Sequence, residues 1–126
     1  MRTLQEIKSA LTKSWSRETA QVYQAWSPSN PSAGQCWQSA YVVRYFLGGD
    51  IVVAELVPQT KPIQRHAWNK LPSGEVVDLT RAQFPDHQEF LPCEIPETLI
   101  WSVVGAQSEL LLAKVQDVLS SGASAA

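Results

Sequence analysis

Residues 27–49, SPSNPSAGQCWQSAYVVRYFLGG, decide how the chain is read. Prolines, serines, Asn30 and Gly34 leave residues 27–34 no regular structure, so this segment is a loop. It delivers the chain into a stretch where Cys36, Ala40, Val43 and Leu47 share one helical face, with Val42 and Phe46 beside it. A face that broad and apolar suits a helix buried against a sheet. Gly48 and Gly49 end it, since glycine accepts the left-handed backbone that follows a last helical turn. Cys36 therefore opens a buried helix. At that position roughly half a positive charge and several N–H groups favour a thiolate, the nucleophilic form of cysteine, and can hold an oxyanion.

A nucleophile needs a base, and the base needs a group to orient it. Downstream, IVVAELV (51–57) is rich in β-branched residues and reads as a strand. RHAWNKL (65–71) and EVVDL (75–79) flank Pro72-Ser73-Gly74 and read as a β-hairpin. A turn centred near residue 72 puts His66 and Asp78 opposite one another. Cross-strand Cβ atoms lie about 4.5–5.5 Å apart, close enough for a carboxylate to hold an imidazole N–H. Cys36, His66 and Asp78 are thus the candidate catalytic residues.

The rest of the chain builds around this pair of elements. Leu4, Ile7, Ala10, Leu11 and Trp15 predict an amphipathic helix over 3–14. Ser16 caps a second, short helix through Trp26, with Val22, Tyr23 and Trp26 packed inward. Thr80 caps a turn of helix in TRAQF, residues 85–98 are irregular, and LIWSVV (99–104) forms a last strand. A C-terminal helix over 106–120 turns Leu110, Leu111, Val115, Val118 and Leu119 inward. The expected class is α+β, one domain over 1–120 with a flexible tail over 121–126.

Composition narrows the function. The 126 residues carry 44% hydrophobic side chains, enough for a core, and no basic stripe among 10 basic and 12 acidic residues, so no nucleic acid partner is expected. No apolar run approaches the roughly 18 residues that span a bilayer. The N-terminus has no continuous apolar stretch, and a cytoplasmic, reducing location with two free thiols, Cys36 and Cys93, is the expectation. Cys36, His66 and Asp78 are chemically competent metal ligands, but no C-x-x-C or H-x-x-x-H pair accompanies them, so no metal and no cofactor are expected. Cys93 and His87 read as structural or surface residues.

G-Q-C-W at 34–37, H-A-W at 66–68 and V-D-L-T at 77–80 resemble the Cys, His and Asp blocks of the transglutaminase-like group, which shares its core with papain-like cysteine peptidases. The wider pattern N-P-S-x-G-Q-C, H-x-W-N and D-L-T-R-x-Q-F, spanning about 28–84, looks more specifically like the YunG-like bacterial proteins. The resemblance implies a papain/transglutaminase-like core, in which a cysteine-bearing helix packs on an antiparallel sheet carrying the histidine and the acid. Papain-type enzymes place a glutamine six positions before the nucleophile to help hold the oxyanion; Asn30 has that offset here, and Gln35 directly precedes Cys36. Either amide is a candidate donor. Trp37 and Trp68 are expected to pack near the site and wall it from water.

The expected activity is hydrolysis or transfer of an acyl group, from a peptide, an amide or another acyl substrate. The chain leaves little room for the loops that build peptidase subsites, which disfavours cleavage of folded proteins. A non-catalytic binding or immunity-type module with a protein partner is the alternative. A redox-sensing thiol, with Cys93 resolving Cys36, is the third.

Overall fold

Thr3 opens the molecule with a reciprocal cap: its hydroxyl accepts from the Glu6 N–H at 3.2 Å, and the Glu6 carboxylate accepts from the Thr3 N–H at 3.1 Å. Such a cap is worth about 1 kcal/mol to the helix that follows. That helix, α1, spans Leu4–Ser14 in a computed structural model that describes residues 2–121. The expected tail therefore lies, beyond Ser121, outside the described residues.

The second helix expected through Trp26 does not form. Residues 16–35 run as turns with one short 3-10 segment, Tyr23–Ala25, and Val22 and Tyr23 face solvent. The backbone is drawn off helical geometry by bonds to distant residues. Gln21 N–H donates to Gly34 O at 2.8 Å, and the Gln38 amide donates to both Thr19 O and Gly34 O at 2.7 Å. Tertiary partners override a weak local preference here.

Helix α2 spans Cys36–Leu47 and starts at the cysteine. Beyond it the chain reverses at Gly48 and Gly49 into strand β1, Asp50–Val57. Gly49 has φ +87°, and a Cβ there would sit 2.3 Å from Lys70 O, so only glycine lets the end of α2 meet the hairpin. Strands β2 (Arg65–Lys70) and β3 (Val76–Val77) form that hairpin.

A fourth strand, β4 (Glu89–Cys93), completes an antiparallel sheet of order β3-β2-β1-β4. It falls in the segment expected to be irregular. Pro92 masks it in the sequence, yet β4 is an edge strand, where a residue without an N–H is tolerated. With β4 occupying the free side of β1, residues 99–104 are not a strand either; they begin helix α3, Glu97–Ser121. Leu99, Trp101 and Val103 face outward, whereas Ile100 and Val104, four apart, pack against Trp37 and Ala67. The apolar run has helical period, and its β-branched content is misleading. The helix is kinked at Val104, where the backbone leaves helical geometry (φ −124°, ψ 16°).

The main core lies between the three helices, built from Ile7, Leu11, Val42, Val43, Leu111 and Val115. Leu112 and Leu119 join it, while Leu110, expected inward, is exposed. A smaller cluster of Trp37, Ala67 and Val104 fills the space between α2, the sheet and the first part of α3, and Cys36 packs against it. The architecture is α+β: three helices with a small four-stranded antiparallel sheet. Among the described residues no helix is long and apolar enough to cross a membrane.

Candidate active site

Cys36 occupies the first position of α2, half-buried and unpaired. The loop before it is fixed from two directions. Gln35 is the N-cap residue but gives the helix no side-chain cap. Its amide is instead committed inward: Nε2 donates to Ser16 O at 2.9 Å, and Oε1 accepts from the Thr19 hydroxyl at 2.9 Å. With no exposed surface, Gln35 holds the loop rather than facing the thiol. Asn30 lies in the turn closed by its own N–H on Ser27 O at 3.0 Å, and does not line the crevice beside Cys36.

His66 lies on β2, opposite Ala54 of β1, and is buried to 1% exposure. Its Nε2 meets Asp78 Oδ2 at 2.6 Å. The route to this contact differs from the one the sequence suggests. The hairpin pairs Asn69 with Val77 and Lys70 with Val76, around a three-residue Pro72-Ser73-Gly74 turn. Continued, that register puts Trp68 rather than His66 opposite Asp78. The offset is two residues, so the face is preserved and Asp78 reaches His66 diagonally. Asp78 Oδ1 in turn accepts from the Thr80 N–H at 3.2 Å, which fixes the carboxylate against the start of the next turn.

The other imidazole nitrogen, Nδ1, is buried and has no hydrogen-bond partner among the described residues. Burial by itself would push the His66 pKa down. That is the largest single influence, but the hydrogen bonds and charges of Asp78 and Cys36 together outweigh it, so the pKa moves from 6.5 to about 9. Three aromatic rings enclose the imidazole: Phe84 at 4.9 Å between centroids, Phe90 at 5.0 Å and Trp68 at 5.6 Å. The negative faces of such rings suit an imidazolium.

Cys36, Ala67, Trp68, Asp78 and Thr80 border one crevice too narrow in this state to hold a water molecule. Of the two tryptophans singled out, Trp68 lines the crevice, while Trp37 is buried in the small cluster behind it. His87 is exposed, and Cys93 ends β4 opposite Val53. Among the described residues no group of three His, Cys, Asp or Glu side chains is placed to hold a metal ion.

Several residues that shape the site were not singled out from the sequence. Phe90 belongs to the unexpected strand β4. Arg81 gathers the loop that follows Asp78, donating to Pro85 O, Asp86 O and Gln88 O at 3.1 Å each, with its guanidinium 5.3 Å from the Phe90 ring centre. Gln83 Oε1 accepts from the Gly34 N–H at 3.3 Å, which ties this loop to the one before Cys36. The D-L-T-R-x-Q-F block carried the available signal, in three side chains too polar or too large for an idle turn.

A family model described as "YunG protein" matches residues 3–120. The chain belongs to the YunG family. No curated protein and no solved structure matches it. The YunG match runs from the Thr3 cap into the last turn of α3, so all three helices, all four strands and every residue of the crevice fall within it.

Proposed function

We propose that this YunG-family chain is a cysteine-dependent acyl hydrolase or acyltransferase with a papain/transglutaminase-like core. Cys36 is the nucleophile, His66 the base and Asp78 the group that orients it. One observation carries the reading: His66 is held at Nε2 by Asp78 while Nδ1 is left without a partner and the Cys36 sulfur acts on the same ring. An imidazole that keeps its proton up to about pH 9 is imidazolium at neutrality, the natural counter-ion of a thiolate.

In this mechanism the Cys36 thiolate attacks the carbonyl carbon of an amide or thioester, and the carbonyl pair moves onto oxygen. As the tetrahedral intermediate collapses, His66 Nδ1–H protonates the departing amine or thiol, leaving a thioester on Cys36. Neutral Nδ1 then takes a proton from water or an acceptor amine, which attacks the thioester and expels the thiolate. Asp78 keeps the ring in the required tautomer and stabilises the imidazolium throughout. No cofactor enters this balance. A reducing, cytoplasmic setting keeps both cysteines as thiols.

The competing reading is a binding module that keeps the fold without turnover, and the narrowness of the crevice favours it. Iodoacetamide labelling read by intact mass and peptide mapping separates the two. An activated Cys36 reacts at least tenfold faster at pH 7 than Cys93, which has no histidine partner among the described residues. Equal labelling, or labelling of Cys93 alone, rejects the enzymatic reading.

A further inference from the structure

Among the described residues Gln83 carries one of the buried donors near this site with an unmet bond, as does Trp37, whose indole sits in the small core cluster behind the crevice. The Gln83 Nε2 is buried and has no hydrogen-bond partner among the described residues, although its Oε1 is fixed by the Gly34 N–H. An amide N–H buried without a partner is costly, and it awaits an acceptor. Three neighbours place Gln83 near the site, although it does not itself line the crevice in this state. Gly34, to which it is tied, lies two residues before Cys36. Phe84, the next residue, packs against the His66 ring at a near-perpendicular angle. Thr80, three residues earlier, lines the crevice with Cys36.

Neither of the amides suggested by the sequence has a buried N–H left unmet. Gln35 has both ends bonded to Ser16 and Thr19, and Asn30 is not among the buried side chains without a partner. We propose that Gln83 is a catalytic residue whose Nε2–H donates to the carbonyl oxygen of the acyl substrate as Cys36 attacks it. The proposal rests on the acyl-transfer reading above and adds the group that receives the developing charge. When the C–S bond forms, the carbonyl π pair becomes an oxyanion, and Gln83 holds it by a hydrogen bond without exchanging a proton. Collapse restores the C=O bond, expels the leaving group and releases that bond.

Two reagents separate this role from a structural one. Alkylation of Cys36 by iodoacetamide is a displacement at a CH₂ group and forms no oxyanion. Acylation by p-nitrophenyl acetate passes through one and releases p-nitrophenolate for detection. Gln83→Glu keeps the oxygen that accepts from Gly34 and replaces the donor, and Gln83→Met removes both polar atoms at similar volume. Each variant is read as its acylation rate divided by its alkylation rate, so a misfolded fraction cancels. Both variants are expected to lower that ratio about 100-fold, the usual cost of one oxyanion donor. An unchanged ratio in either variant, whether both rates hold or both fall together, overturns the role of Gln83 while leaving the thiolate reading standing. Wild-type protein that alkylates no faster at Cys36 than at Cys93 overturns the thiolate reading, and the proposal with it.

Discussion

Replacing Asp78 by asparagine tests the heart of the site without touching the thiol. In the folded protein His66 binds its proton up to about pH 9, against 6.5 for the free side chain. At roughly 1.4 kcal/mol per tenfold change in proton affinity, that difference is worth about 3 kcal/mol of folding stability. The raised pKa fixes the sign. The contribution is present in full below pH 6.5, declines as pH rises through about 9, and is absent above it. Asp78 supplies the largest of the interactions that raise the value, so Asp78→Asn removes a large share of the contribution and leaves the Cys36 share in place. The asparagine oxygen can still accept a hydrogen bond from neutral His66. Urea denaturation of the two proteins from pH 6 to 10 should therefore show Asp78→Asn less stable by roughly 2 kcal/mol at the acid end. The two curves should converge above pH 9, since every other titrating group is common to both. A gap that stays constant with pH, or a wild-type curve with no decline between 6.5 and 9, refutes a His66 proton held in place by Asp78.

Two further perturbations test the scaffold. Gly49→Ala forces a Cβ to within 2.3 Å of Lys70 O at a positive φ, and should cost at least about 2 kcal/mol by chemical denaturation; a cost under about 0.5 kcal/mol would mean the chain reversal is not tight. Arg81→Ala leaves the carbonyls of Pro85, Asp86 and Gln88 without their donor, and hydrogen exchange should accelerate in residues 82–90 while α1 keeps its protection. Unchanged exchange there would show that Arg81 does not hold the loop.

The parts of this fold that were legible in the sequence are local. The start of α2 at Cys36, its glycine end and the hairpin about Pro72-Ser73-Gly74 depend on residues a few positions apart. The hairpin register differs by two from a turn centred at residue 72, because the three-residue turn has its centre at Ser73. The contact survives that offset, since strand faces alternate with period two and Asp78 keeps its side. The segments that failed were those whose state is set by neighbours distant in sequence. Pro92 can sit in β4 because β4 is an edge, and Leu99 to Val104 can be helical because β4 has already taken the side of β1 that a further strand would need. Val22 and Tyr23 are exposed because Gln21, Gln38 and Gly34 hold the preceding turns elsewhere. None of these facts is carried by the segment concerned.

The same distinction explains why the candidate site was read only in part. Cys36 comes from the helical layer and the His66–Asp78 pair from the sheet, and nothing local to either sets the distance between them. Buried amides and hydroxyls do. Asn69, on the same strand as His66, donates to Ala40 O of α2 at 3.0 Å, and Trp15 Nε1 at the end of α1 donates to Ser39 Oγ at 2.9 Å. Gln35 and Gln38 bind the ends of the preceding loop. Each such bond adds only about 1 kcal/mol to stability, so apolar residues of similar size would fold the chain nearly as well. What apolar packing does not resist well is a slide of α2 along its own axis. A displacement of one turn, about 5.4 Å, would keep an apolar face against the sheet yet break the Asn69 and Ser39 bonds and carry Cys36 away from His66. Fully buried polar side chains at 35, 38, 39 and 69 are thus the means by which the sequence specifies where the thiol sits relative to the imidazole. They are also the residues whose single-sequence reading, as polar positions within helix or strand, gave the least away.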